Sequence, residues 1–552
     1  MTTMTLGRRA LLLLILLVSV ASSSPRAQVS ADRLIRASDE PHNWLTYSGG
    51  YFSHRHSLLR QIDPANVKNI ELKWVFQAQS FQKFEATPLV VNGIMYLTQA
   101  PNDVVALDAK TGRVFWIYSH PVSPAARPCC GSVNRGVAIL DDTLFMATLD
   151  AHLIAVDARS GGRLWNTTVA DPNLGYAMTM APLVVKDKVL VGVAGGEFGI
   201  RGFVAAYDAK TGKELWRTYT IPGPGEPGHD TWQGDDWKTG GAPVWLTGSY
   251  DPDLNLVYFG TGNPGPDFNA AQRPGDNLYS DSAIALDADT GKLKWHFQFT
   301  PGDPYDYDAV QIPVLVDANW NGRPRKLMMW ANRNGFFYVL DRSNGEFLLG
   351  RPYVKVNWAS GLDAKGRPIQ TPQPPGSATY PGVTGGTNWY SPSYSPRTGL
   401  FYVAAWEEFG AIFIPEQSEY KEGQRFGGGV SVSIVEGGEQ PGLSRRSPVN
   451  NYTDKTAHGA IVAIDPMTGS RKWTFGMYDV TMSGVLSTAS DLVFAGGREG
   501  YFHALDARTG APLWKVQLGG EIASGPMSYQ VDGKQYVAVA GGNGMFIFAL
   551  RD

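Results

Sequence analysis

One signature recurs along this chain and dictates what it can fold into. It reads VVALDAKTGRVFW, LIAVDARSGGRLW, VAAYDAKTGKELW, AIALDADTGKLKW, IVAIDPMTGSRKW and FHALDARTGAPLW. In each copy a tryptophan follows the aspartate by eight residues: Asp108 with Trp116, Asp157 with Trp165, Asp208 with Trp216, Asp287 with Trp295, Asp465 with Trp473, and Asp506 with Trp514. A seventh copy, YVLDRSNGEFL at Asp341, lacks the tryptophan, and YSPRTGLFYVAAW around Thr398 reads as a degenerate eighth. The chain has only 16 tryptophans in 552 residues, so this regularity is structural: a large aromatic on each unit's outer strand, packing on the next unit.

Each unit also carries apolar runs such as PLVVNGIMYLT and LVVKDKVLVGVAG, split by turn residues like Asn92-Gly93, then a third strand, the Asp-x-x-Thr-Gly turn and a fourth strand. Four-stranded antiparallel units repeating every 40 to 50 residues or so point to propeller blades. The spacing of the aspartates leaves room for long insertions. An all-β, eight-bladed β-propeller is therefore expected, with seven blades as the alternative. Residues 351–384 and 414–456, rich in Gly, Pro and Ser, read as insertions on one face.

Composition narrows function. With 43% hydrophobic and 18% charged residues the chain is that of a folded protein, and a formal net charge of −3 without a basic run leaves no electrostatic footprint for nucleic acid. Residues 1–27 read as an export signal, with Arg8 and Arg9 ahead of an apolar run from Ala10 to Ala21 and small residues in ASSS; residues 28–552 then form a single propeller domain. The paired arginines match a twin-arginine signal only loosely. The apolar run is shorter than the ~20 residues a membrane span requires, so no span is expected in the mature chain, and the expected location is the periplasm.

Common cofactor motifs fail. GPGEPG, Gly223 to Gly228, formally matches a dinucleotide fingerprint, yet it holds two prolines and opens no helix that could receive a pyrophosphate. There is no haem-attachment or zinc-protease motif. What stands out is RPCCGSVNRG, which contains Cys129 and Cys130, the only two cysteines of the chain. Neighbouring Cα atoms sit about 3.8 Å apart, closer than the ~4.4–6.8 Å of ordinary bridges, and a bridge between them closes no loop, so it would add little to stability. Two readings follow: reduced thiols in a loop, or a rigid, flat, polarizable ring against which something packs.

With these residues in view, the chain resembles the quinoprotein alcohol dehydrogenases, enzymes of pyrroloquinoline quinone (PQQ) related to bacterial methanol and ethanol dehydrogenases. The resemblance runs from EPHNWLTYSGGYFSHRHSLLRQIDPANV through CCGSVNRG, TMAPLVVKDKVLVGVAGGEFGIRGFVAAYDAKTG, GSYDPDLNLVYFGTGNPGP and RPGDNLYSDSAIALDADTGKLKW to DGKQYVAVAGG. It implies that Cys129 and Cys130 form a vicinal disulfide on one face of the quinone, with Trp245 stacked on the other. It implies that Glu85, Arg135, Thr179 and the backbone of Gly195 and Gly196 meet the cofactor's carboxylates and ring oxygens, that Arg333 bonds the quinone oxygens, and that Asn388 helps hold the ring. Taken singly, Arg135 would read as a blade-to-blade ion pair and Trp245 as a core aromatic. The implied metal ligands are Glu197, Asn263 and Asp306, an oxygen set suited to a hard cation. Asp306 also matches the family's catalytic base, taking the alcohol proton while hydride passes to the quinone.

Asp308, two residues beyond Asp306, matches an additional aspartate of lanthanide-dependent relatives where calcium-dependent ones carry a small residue. A lanthanide(III) ion is therefore expected, with Ca²⁺ as the alternative; a bland reading makes Asp308 a solvated carboxylate in a loop that also holds Asp303. The chain departs from the resemblance at Asp267 and Phe268, where many relatives have Trp after GNPGP, and at Met482, where Trp is common. The tail AGGNGMFIFALRD also lacks the Trp usual in methanol dehydrogenases. The expected activity is oxidation of primary alcohols, with aldehydes as a further class and a soluble cytochrome c as electron acceptor; a homodimer is left open. The rival is a non-catalytic binding or scaffold propeller of the outer-membrane assembly type.

Overall fold

The tryptophan repeats close into a ring. A computed structural model describes residues 29–374, 376–435, 458–477 and 479–552; residues 1–27, read above as an export signal, lie outside the described residues. Eight antiparallel sheets succeed one another along the chain. Blade 1 joins the two ends: Ile70–Gln77 pairs with Gly544–Leu550, which continues through Lys534–Gly541 to Met527–Val531. Blades 2 to 6 follow in order: Leu89–Val91 to Val114–Ser119, Ala138–Leu140 to Arg163–Thr168, Leu183–Val185 to Glu214–Tyr219, Ser249–Asp251 to Leu293–Gln298, and Val314–Trp320 to Glu346–Pro352. Blade 7 comprises Ser393–Ser395, Leu400–Glu407, His458–Asp465 and Ser470–Gly476, and blade 8 runs from Leu486–Thr488 to Pro512–Gln517.

The repeat's two ends explain the ring. In Asp-x-x-Thr-Gly the Asp108 carboxylate accepts from the backbone N–H groups of Lys110 and Thr111 at 2.8 and 3.1 Å, turning the third strand into the fourth. Gly112 ends the turn at φ 75°, and a Cβ there would lie 2.5 Å from the Trp74 ring. The indole of one blade thus seats on the turn glycine of the next: Trp116 on Gly161, Trp165 on Gly212, Trp216 on Gly291, Trp295 on Gly345 and Trp473 on Gly510. Where the seventh copy lacks its tryptophan, Leu349 and Arg351 cover Gly469 instead. Trp514 meets Phe548 edge-on at 5.5 Å, because the clasp strand Ile70–Gln77 gives blade 1 no such turn.

The segment around Thr398 is not a degenerate copy of this turn. It connects the first two strands of blade 7, pairing Ser393 with Tyr402 and Ser395 with Leu400, and the blade's own third-to-fourth turn is at Asp465. The eighth unit is the shared blade 1.

Antiparallel order puts the docking turns at one end of the ring and the loops between second and third strands, together with the crossovers into each next blade, at the other. Both insertions therefore belong to the second end. The first carries a hairpin, Ala359–Leu362 with Pro368–Gln370; the second carries Phe409–Pro415 with Gly429–Val435. The remainder of the second, from 436 to 456, lies outside the described residues.

The N-terminal segment fills the middle. Trp44 N–H donates to Val90 O at 2.8 Å, Tyr51 hydroxyl to Val184 O at 2.9 Å, and Leu315 N–H and Tyr394 N–H to Phe52 O and His54 O at 3.0 and 2.8 Å. The fully buried Arg55 donates to Tyr47 O, Thr87 Oγ1 and Gly525 O. Tyr47 packs in one apolar cluster with Trp245 and Trp389. No helix among the described residues is long and apolar enough to cross a membrane.

Candidate active site

The loops at the insertion end converge on one cavity of about 960 Å³ of free space, its mouth included. Crossovers into the innermost strands bring Glu85, Arg135, Thr179, Trp245, Asp306, Asp308 and Asn388; loops between second and third strands bring Gly195, Glu197, Asn263 and Arg333. Cys129 and Cys130 stand on the wall, joined to each other, with Cα atoms 3.8 Å apart. Of the residues expected to hold the cofactor or the metal, Gly196 alone does not line the cavity: it backs onto Pro243, whose Cδ lies 3.0 Å from where a Cβ would sit.

One side of the cavity is cationic and aromatic. Arg135 Nη2 lies 2.8 Å from Glu85 Oε2, with both side chains buried, and Arg135 Nη1 donates to Thr179 O at 3.3 Å. The guanidinium sits 5.1 Å from the Trp245 ring centre and 5.7 Å from that of Trp389. Arg135 Nε and Trp389 Nε1 are buried N–H donors without an acceptor among the described residues. Two orphaned donors beside a cation and two indoles suit a flat ligand rich in acceptor oxygens.

The other side is acidic. Arg333 bridges two carboxylates, Nη1 to Asp308 Oδ2 at 2.6 Å and Nη2 to Asp306 Oδ2 at 3.1 Å. Asp308 Oδ2 also accepts from Trp245 Nε1 at 3.2 Å, and its Oδ1 from Asn263 N at 2.8 Å. Asp308 is thus a buried, three-times-bonded group rather than a solvated carboxylate. Asp306, at φ 61°, is raised well above the usual carboxylate range by burial, with Asp308, Asp267 and Glu197 adding to the rise against Arg333. Burial also raises Glu197, with Asp308 in support. Asp303 is pushed up to about 6 by burial, against the backbone N–H groups of Tyr305 and Tyr307. Carboxyls forced toward neutrality by burial and by one another are in the condition that a bound cation relieves, and all the donors are oxygen.

The wall holds further residues that were not anticipated, among them Lys83, Trp389 and Pro243. Lys83 pairs with Glu521 at 3.1 Å and donates to Met482 Sδ at 3.3 Å; Trp389 directly follows Asn388; Pro243 precedes Trp245 by two. They lie in irregular crossovers, where no periodicity marks a side chain as facing the cavity. Asp267 is buried, and its Oδ1 accepts from Asn263 Nδ2 at 2.9 Å. Its neighbour Phe268 stacks obliquely on Phe413 of the second insertion at 5.9 Å.

An eight-bladed ring whose loops gather cations, indoles and carboxylates into one cavity defines the class of propeller dehydrogenases. Residues 44–374 and 359–537 match the PQQ family described as glucose/ethanol/alcohol dehydrogenase, β-propeller domain. The chain belongs to this family of quinoprotein alcohol dehydrogenases. It is 39% identical to quinoprotein alcohol dehydrogenase PedH of Pseudomonas putida, covering 96% of this chain and 91% of that one. It is 38% identical to a lanthanide-dependent methanol dehydrogenase of Methylacidiphilum fumariolicum, covering 93% and 87% respectively. Among solved structures, a europium-containing methanol dehydrogenase superposes with a TM-score of 0.86 at 35% identity, covering 94% of this chain and all of that one. Such likeness over nearly the whole length, to proteins named as dehydrogenases, speaks against the scaffold alternative.

Proposed function

We propose that this protein is a PQQ- and lanthanide-dependent dehydrogenase of primary alcohols, with aldehydes as a further substrate class. The observation that carries the reading is the placing of Asp308 beside Asp306, Glu197 and Asn263 at one end of the cavity that Trp245 and the Cys129–Cys130 pair also line. The flat quinone would lie between that disulfide and the Trp245 indole, with Arg135, Glu85, Thr179, Gly195 and Asn388 around its rim. Glu197, Asn263, Asp306 and Asp308 would hold the ion; three ionised carboxylates favour a trivalent cation over Ca²⁺.

When bound, PQQ supplies a two-electron acceptor and the metal a Lewis acid. The chain's own part is positioning and proton transfer. Arg333 holds Asp306 by Oδ2, which leaves Oδ1 to accept the hydroxyl proton of an alcohol.

Electrons would pass to a separate acceptor, most simply a soluble cytochrome c, and the location would be the periplasm. Val29, the first described residue, is tied to Asp141 by two backbone hydrogen bonds, so a chain cleaved after residue 27 would begin close to its anchor. The test is reconstitution of metal-free protein with PQQ and either La³⁺ or Ca²⁺, in wild type and Asp308→Ala, read by the cofactor's absorption and by dye reduction over an alcohol panel. Activity is expected with La³⁺ in wild type and not in the variant. Equal or better activity with Ca²⁺ in wild type returns the enzyme to the calcium class, and no dye reduction with any alcohol removes the substrate class.

A further inference from the structure

Asp267, four residues beyond Asn263 in the same loop, touches that proposed metal ligand directly. Asp267 is 2% exposed, and Oδ1 accepts from Asn263 Nδ2 at 2.9 Å. The same amide nitrogen also faces Pro264 O at 3.3 Å. A side-chain amide has two ends of nearly equal shape, and its neighbours decide which way it points. Turned over, Asn263 would set its oxygen against the Asp267 carboxylate and the Pro264 carbonyl, three acceptors without a donor. In the observed orientation both donors face away from the cavity. Oδ1 is left on the side of Gly196 and Glu197, 3.7 Å from where a Cβ on Gly196 would lie. The backbone of the same residue is fixed by Asp308, whose Oδ1 accepts from Asn263 N at 2.8 Å.

We propose that Asp267 is a positioning residue of the metal site: it locks the Asn263 amide with its oxygen presented to the ion. The inference rests on the metal-site reading given above. Asp267 acts through its hydrogen bond, not as a ligand, and outer partners of this kind govern metal affinity by about 10–100-fold.

Two substitutions separate the roles. In Asp267→Asn the new side-chain oxygen can still accept from Asn263 Nδ2 while the charge is lost; in Asp267→Leu both are lost. The probe is Tb³⁺, titrated into metal-free protein and read by emission sensitised through the nearby Trp245. Asp267→Leu is expected to bind Tb³⁺ about 10–100-fold more weakly than wild type, and Asp267→Asn within a few-fold of it. Asp267→Ala, expected to behave like the leucine variant, serves if the latter does not fold. Wild-type affinity in the leucine or alanine variant overturns the inference, and so does an asparagine variant as weak as the leucine one, which would make charge rather than orientation the cause. Absence of Tb³⁺ binding by wild type would instead overturn the metal-site reading, and the inference with it.

Discussion

The indole Nε1 of Trp245 donates to Asp308 Oδ2 at 3.2 Å, so the residue that walls the aromatic part of the cavity also holds a carboxylate of the acidic part. The two halves of the site are one hydrogen-bonded unit. Coupling is then expected: PQQ ordering Trp245 raises affinity for a lanthanide ion, and the ion raises affinity for PQQ by the same factor. Trp245→Phe keeps a flat wall and removes the N–H. Tb³⁺ titrations followed by calorimetry, with and without PQQ, should differ in wild type and coincide in the variant, while PQQ alone still binds.

Asp306→Asn retains shape and removes the base. Turnover is expected to fall roughly 10²–10⁴-fold, with the absorption of bound PQQ preserved. A loss of turnover that follows loss of cofactor would point to binding instead.

The Cys129–Cys130 pair spans no loop, and both residues are exposed at the cavity wall. A Cys129→Ala/Cys130→Ala variant should keep its fold by circular dichroism while quinone turnover drops. In the wild type, bound PQQ should slow reduction of the disulfide by a phosphine, followed by intact mass; equal rates with and without PQQ would place the cofactor elsewhere.

Stability should depend on pH through Glu499, far from the acidic set in sequence and on a blade 8 loop. Burial raises its carboxyl to about 7, with Asp479 adding to the rise against Arg498 and a backbone N–H. Because the folded value is the higher one, its contribution is present in full below the ordinary carboxyl range and is lost as pH rises through about 7. Replacing the residue by glutamine removes that dependence. The difference in unfolding free energy between Glu499→Gln and wild type, from denaturant titrations, should therefore grow in favour of the variant from pH 5 to pH 8, by up to about 3 kcal/mol. A constant difference across that range would show that Glu499 ionises freely.

Much of this was legible in the sequence because it repeats. Asp-x-x-Thr-Gly and the following tryptophan encode a turn and the ring that docks on it, so six blades could be counted from paired residues alone. The clasp could not, since Ile70–Gln77 finds its partners at the far end of the chain and has no repeat of its own; Trp74 was overlooked for the same reason. The site was legible through resemblance rather than through spacing. Glu85, Asn263 and Asn388 are distant in sequence and meet only because each occupies a loop at the same end of its blade. Asp267 was seen as a departure, but its bond to Asn263 depends on how the chain folds back over four residues, which no periodicity records.

The clasp has a consequence in time. Glu71 and Arg551, 480 positions apart, bond across it at 3.0 Å. Seven blades can form as the chain lengthens, yet they remain an open arc with a raw strand edge at Lys534–Gly541 or before, until the last strand and the first meet. Every residue that lines the cavity lies between Lys83 and Trp389, so all of its walls are made before the closing strand. The clasp therefore adds no wall to the site; it closes the ring that holds walls already made, and unfolding that begins by parting these two strands opens blade 1 first.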